Sequence, residues 1–207
     1  FMIKAVIFDL DNTLIDFMKM KKHSCRAAID AMIGAGLNIK HEKATKVLFE
    51  LYDQHGLEEK TIFQKFLKKL TGKINYKVLA SGIVAYRKVR TGFLEPYPNV
   101  DYVLLKLKRK GIKLGIVTDA PKLKAWIRLA SMKLSNYFDA VIAYEDTKQR
   151  KPSKLPFKAA LKQLNLKASE CLMVGDWPGR DIKGANAIGM RTCFARYGNP
   201  KIKKSGA

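Results

Sequence analysis

Apolar residues follow two rhythms along this chain, and the change of rhythm divides it. Ala5-Val6-Ile7-Phe8 is a continuous apolar run of strand length, the pattern of a strand buried on both faces in a parallel sheet. From Leu14 to about Gly92 the pattern is helical. Cys25, Ile29 and Met32 share one helix face, closed by Gly34-Ala35-Gly36. Ala44, Val47, Leu48, Leu51 and Tyr52 form a helical stripe that stops at Gly56. Ile62, Phe63, Phe66, Leu67 and Leu70 form the next, ending near Gly72. Asn75 is placed to cap a fourth helix carrying Val78, Leu79, Tyr86 and Val89 toward Gly92. Four helices exceed an ordinary crossover between strands, so this stretch reads as an inserted helical domain. Leu94-Glu95-Pro96-Tyr97-Pro98 reads as the return hinge, because its two prolines forbid helix.

From Asn99 helices and strands alternate. Val100, Val103, Leu104 and Leu107 line a helix ended by Gly111, and Leu114-Gly115-Ile116-Val117 is the second strand. Leu123, Trp126, Ile127 and Ala130 line the next helix, with Pro121 in its first turn, followed by the strand Ala140-Val141-Ile142-Ala143. Phe157, Ala160, Leu161 and Leu164 mark a further helix. Cys171-Leu172-Met173-Val174 and Thr192-Cys193-Phe194-Ala195 are the last two strands. Such alternation predicts an α/β fold, a doubly wound parallel sheet with helices on both faces. Ligands of these sheets bind beyond the carboxyl ends of the strands, and polar residues cluster there: Asp9 after the first strand, Thr118-Asp119 after the second, Gly175-Asp176 after the fourth. Lys151-Pro152 lies in the loop after the third strand.

Composition narrows the class. In 207 residues, 47% apolar, the chain has enough material for a core, and no apolar run approaches the roughly 20 residues of a membrane helix. No signal-peptide pattern precedes the first strand, and Cys25, Cys171 and Cys193 are scattered and odd in number. A disulfide frame or zinc site is not expected, and a cytoplasmic location is. Forty Lys+Arg against 18 Asp+Glu give a net charge of +22. The basic residues are spread over Lys19 to Lys22, Lys68-Lys69, Lys106 to Lys110, Lys148 to Lys154 and Lys201 to Lys204, with no nucleic-acid motif beside them. This distribution predicts a solvated basic surface that draws in anionic substrates. Neither a nucleic-acid nor a membrane partner is expected, and a monomer or homodimer is.

The chemistry begins with Asp9-Leu10-Asp11-Asn12-Thr13-Leu14. Two carboxylates two residues apart beyond a buried strand are costly unless something offsets their charge, as a hard cation and a phosphate site would. The segment resembles the first motif, DxDxT, of the haloacid-dehalogenase (HAD) superfamily, most of whose members are phosphatases. Thr118, Lys151 and Gly175-Asp176-Trp177-Pro178-Gly179-Arg180-Asp181 resemble its second, third and fourth motifs, so the likeness covers nearly the whole chain. It implies a Rossmann-like core of residues 1–15 and 93–207, with a four-helix cap domain, 16–92, inserted after the first motif.

By that resemblance Asp9 is the nucleophile that becomes an aspartyl-phosphate, and Asp11 is the general acid and then base. Asp9, Asp176 and the backbone carbonyl of Asp11 are the expected Mg2+ ligands, with Asp181 supporting them. Thr118, the backbone amide of Asp119 and Lys151 are the expected phosphate ligands. The motif usually carries Asn where this chain has Asp119. The family also often continues past a segment such as Gly206-Ala207 with another strand and helix, which puts the stability of the sheet edge in question.

The implied activity is Mg2+-dependent hydrolysis of a small phosphorylated metabolite, of the sugar phosphate or phosphoglycolate class. A 2-haloacid dehalogenase is the alternative, opposed by Asp11 and Asp176. A phosphomutase and a basic nucleic-acid-binding module remain further readings.

Overall fold

The computed structural model describes residues 2–199. Contacts divide the chain into two compact units, one running up to Phe17 and resuming at Leu94, the other Met18–Phe93.

The first unit is built on a five-stranded, wholly parallel sheet: β1 (Ala5–Phe8), β2 (Lys113–Val117), β3 (Ala140–Ile142), β4 (Cys171–Gly175) and β5 (Arg191–Phe194), in the order β3-β2-β1-β4-β5. β1 is central and buried throughout, as its unbroken apolar run requires. Ile7 pairs with Gly115 on one side and Met173 on the other. The strand order reverses between β1 and β4, so their carboxyl ends open a crevice at the switch point.

Ala5, Ile7, Cys171 and Met173 pack with Phe157, Ala160 and Leu164 of the helix Lys154–Leu164. Phe8 points the other way, beside Val100 and Leu104 of the helix Val100–Arg109. The edge strand β5 is half-exposed. Gly206-Ala207 lie outside the described residues.

The second unit holds four helices, α1 (Phe17–Gly34, which begins one residue before it), α2 (His41–His55), α3 (Ile62–Thr71) and α4 (Tyr76–Gly92). Ile29, Met32, Leu48, Phe66 and Leu67 form the centre of its core. The breaks follow local chemistry. Gly56 and Gly72 adopt positive φ at helix ends, and the Asn75 carboxamide oxygen accepts from the amides of Lys77 and Val78. One lysine departs from the solvated surface expected of the basic runs. Lys21 is buried, donating to the Leu57 carbonyl at 2.8 Å and the Tyr86 hydroxyl at 3.1 Å, with its ammonium 4.0 Å from the Tyr52 ring centroid.

The following helices are α5 (Val100–Arg109), α6 (Lys122–Ser131), the single turn α7 (Tyr144–Thr147), α8 (Lys154–Leu164) and α9 (Lys183–Asn186), which follows a wide turn at Pro178–Ile182. Helix α6 corrects the sequence reading. Its buried positions are Ala125, Arg128 and Leu129, whereas Leu123 is 72% exposed and Trp126 and Ile127 are also exposed. An arginine supplies the third inward position, so an apolar stripe selects the wrong face. Pro121 stands at the N-cap, one residue before the helix. Val103 is likewise exposed where an inward place was expected.

The segments leaving and re-entering the sheet unit run side by side. Ile15 bridges Pro96 in antiparallel sense, and the Tyr97 amide donates to the Leu14 carbonyl at 2.8 Å. The loop after β5 closes on the loop after β1: the Tyr197 hydroxyl donates to the Thr13 carbonyl at 2.7 Å. A Cβ at Gly198 would fall on the Asn12 carbonyl, and 2.7 Å from the Cβ of Asp176. Gly198→Ala is therefore expected to destabilise the protein by about 2 kcal/mol or more, because the obstacle is backbone. A lower urea midpoint at unchanged m-value would show it, and an unchanged midpoint would contradict this close approach.

Candidate active site

The sheet brings the polar strand ends together. Asp9 continues the β1–β4 ladder by one bond, its amide donating to the Val174 carbonyl at 2.9 Å, which fixes the carboxylate at the mouth of the crevice. Thr118 extends β2 in the same way, donating to Ile142. Its hydroxyl accepts from the Ala120 amide at 3.1 Å. Asp9, Thr118, Lys151, Asp176 and Asp181 are all buried.

Lys151 joins three elements. Its ammonium donates to Asp9 Oδ1 at 2.6 Å and to the Val117 carbonyl at 3.0 Å, and lies 2.7 Å from Asp181 Oδ1. The other Asp181 oxygen accepts from the Trp177 amide at 2.9 Å. Asp181 reaches this place because Gly175 has no side chain: a Cβ there would lie 2.5 Å from the Asp181 Cβ. The structure thus places Asp181 beside Lys151, within reach of Asp9 and Asp176.

Burial and crowding set the ionisation. Burial is the largest influence on Asp9 and raises it well above the usual carboxylate range; Lys151 opposes this, while Asp181 and Asp11 add to it. Burial, then the charge of Asp181, pushes Asp176 up to about 6. Burial works to lower Lys151, but Asp9, Asp181 and Asp119 outweigh it and hold the ammonium protonated far above neutrality. Burial is the larger cause at both carboxylates, and the neighbouring carboxylates add to it. Oxygens of Asp9, Asp176 and Asp181 lie within 4.8 Å of one another, a hard donor set that could hold a divalent cation.

Asp119 acts through its side chain, where only its backbone amide was expected to take part. Oδ1 accepts from the Lys151 amide at 2.9 Å, and Oδ2 meets Arg180 at 3.4 Å. The carboxylate therefore straps the Lys151 loop to the end of β2.

Asp11 turns elsewhere. Its Oδ2 accepts from Arg128 Nη1 at 2.9 Å, and the Arg128 guanidinium lies over the Phe17 ring, 4.6 Å from its centroid. The sequence reading missed Arg128 altogether. The available signal was an arginine in register with Ala125 and Leu129, a charge on the inward face of a helix.

The chain belongs to the haloacid dehalogenase-like hydrolase family, whose model matches residues 6–195. Among curated relatives it is 38% identical to the glyceraldehyde 3-phosphate phosphatase of Methanocaldococcus jannaschii, over 92% of this chain and 84% of that one. It is 36% identical to the enzyme of the same name from Pyrococcus abyssi, over 95% and 83%. A HAD phosphatase from Thermococcus onnurineus superposes with a TM-score of 0.70 at 25% identity, covering 99% of this chain and 91% of that one.

The strap can be tested by size and charge. Asp119→Asn keeps an acceptor for the Lys151 amide and is expected to leave the melting temperature nearly unchanged. Asp119→Ala leaves that amide without its partner and is expected to cost about 1–3 kcal/mol. Equal melting temperatures for the two variants would show that Asp119 does not hold the loop.

Proposed function

We propose that this protein is a Mg2+-dependent phosphatase that hydrolyses a small phosphorylated metabolite through an aspartyl-phosphate on Asp9. One observation carries the reading: a buried ammonium, Lys151, holds Asp9 at the switch point of the sheet beside Asp176 and Thr118. The curated relatives named above, both glyceraldehyde 3-phosphate phosphatases, support a sugar phosphate or a molecule of similar size as substrate. A helical domain inserted after the first motif, here the unit Met18–Phe93, would serve as the cap that excludes water from such a substrate. The carboxylates at positions 11 and 176 count against dehalogenation, which needs no metal.

The cation fits because its ligands are hard oxygens in negative surplus. Asp9, Asp176 and the Asp11 backbone carbonyl would hold it, where it would offset charge on the phosphoryl oxygens. Asp9 attacks phosphorus while the bond from phosphorus to the ester oxygen breaks. Asp11, protonated, gives its proton to the departing alkoxide. Asp11, now a carboxylate, takes a proton from water as the water oxygen attacks phosphorus. The bond from phosphorus to Asp9 then breaks, and phosphate leaves. Thr118 and the backbone amide of Asp119 bind phosphoryl oxygens, and Lys151 stabilises the charge they carry.

Chelation is expected to abolish phosphate release from an aryl phosphate, and added magnesium to restore it; full turnover in excess chelator would sink the proposal. Lys151→Met keeps the alkyl volume but not the charge, and a loss on the order of 10²-fold in rate is expected. A near-normal rate would return Lys151 to a structural role.

Protons compete with the metal. The raised pKa of Asp176 stabilises the metal-free fold fully below its unfolded value of 3.8, and that contribution is lost as pH rises through about 6. Magnesium needs the anions, so its effect has the opposite sign. Its increment in Tm is expected to be larger near about pH 7.5 than near about pH 5. Equal increments in thermal melts would place the ion away from these carboxylates.

A further inference from the structure

We propose that Arg128 is a positioning residue for the acid–base carboxylate of Asp11, an inference that rests on the phosphoryl-transfer reading above. Asp9 and Asp11 are two residues apart on one loop, and both must be aimed. Two different cations divide them. Lys151, from the loop after β3, takes Asp9 at 2.6 Å; Arg128, from α6, takes Asp11 at 2.9 Å.

The arginine is costly where it stands. Its side chain is 6% exposed and shares the inward face of α6 with Ala125 and Leu129. An apolar residue of similar length would pack there without desolvating a charge, and replacing buried ion pairs by such residues is often neutral or stabilising. Stability alone therefore gives no reason to keep it. The guanidinium is itself fixed, since it lies over the Phe17 ring at 4.6 Å. Phe17 opens α1, so the anchor is tied to the chain that leaves the sheet unit.

The consequence for Asp11 is geometric. At 23% side-chain exposure it is less enclosed than Asp9 at 10%, and packing alone constrains it less. The bond from Arg128 to Oδ2 limits how the Asp11 carboxylate can approach the leaving oxygen and the water. Rotation about the Asp11 side chain is restricted by that bond. A carboxylate loosened by an ångström loses most of its effect on a proton transfer.

Steady-state kinetics on an alkyl phosphate in magnesium test this. Arg128→Met is expected to lower kcat by about 10- to 100-fold with KM changed less than about 3-fold. Arg128→Lys should recover part of the loss, and Arg128→Gln replaces the methionine variant if that one does not fold. In an Asp11→Asn background, assayed by single turnover of an activated aryl phosphate, Arg128→Met should add less than about 2-fold. A loss that is undiminished in that background, or that falls wholly on KM, overturns the proposal.

A crystal structure supplies a readout independent of turnover. In Arg128→Met, or in the glutamine variant, the Asp11 carboxylate should leave its present position or split between conformers. An Asp11 found unmoved overturns the proposal even where kcat has fallen. Failure of the underlying reading looks different, because the unmutated protein would then release no phosphate from any ester.

Discussion

A single buried ammonium organises this molecule. Lys151 lies between Asp9 and Asp181 and also donates to the Val117 carbonyl, so one side chain ties the loop after β3 to β1, β2 and the turn after β4. A charge removed from water is tolerable only with partners in good geometry, and breaking such a pair leaves its remnant uncompensated, at about 3–5 kcal/mol. Several local features follow from that requirement. Gly175 makes room for Asp181, the Trp177 amide fixes its second oxygen, and Asp119 strings the Lys151 backbone to the end of β2.

Much of this was legible in the sequence, for identifiable reasons. The apolar runs of β1, β2 and β4 have no competing periodicity, and the ends of α2, α3 and α4 are written in Gly56, Gly72 and the Asn75 cap. The strand-end residues Asp9, Thr118 and Asp176 could be anticipated because a parallel sheet collects whatever follows its strands. Most of what escaped was buried charge. Lys21 and Arg128 are charged groups turned inward, and a reading that sends charge to solvent places both on the surface; for Asp119 the amide was expected to act and the carboxylate was not. The inward face of α6 was misjudged for that reason, as the stripe Leu123, Trp126 and Ile127 looks more apolar than Ala125, Arg128 and Leu129. Gly198 was silent because the backbone it must pass, Asn12, is far away in sequence.

The net charge of +22 takes on a sharper meaning once buried cations are separated from exposed ones. Among the described residues Lys21, Arg128 and Lys151 are buried, and each has a fixed local assignment: an aromatic and carbonyl cage, Asp11, and Asp9 with Asp181. The remaining basic residues are spread over both units and supply a diffuse field. Such a field raises the encounter rate with a phosphorylated anion but does not choose among anions. Choice must come from contacts at short range.

Charge balance at the strand ends connects the field to the chemistry. Asp9, Asp11, Asp176 and Asp181 bring four negative charges when ionised; Lys151 and Arg128 bring two positive, which leaves two negative charges beside the phosphoryl site. Burial, and after it the charge of Asp181, raises Asp176, so without a cation this carboxyl would hold its proton to higher pH. A divalent cation would relieve the negative surplus while leaving Asp9 a carboxylate, its charge offset without protonation. An incoming phosphate dianion would be repelled by the carboxylates alone, and accepted once the metal and Lys151 face it together. A cation held by Asp9 and Asp176 would serve two ends at once: Asp9 would stay ionised and a second anion could approach. Arg128 extends the same logic to Asp11. It balances the Asp11 carboxylate, so that on the proposed mechanism the charge facing the substrate would stay with the metal and Lys151.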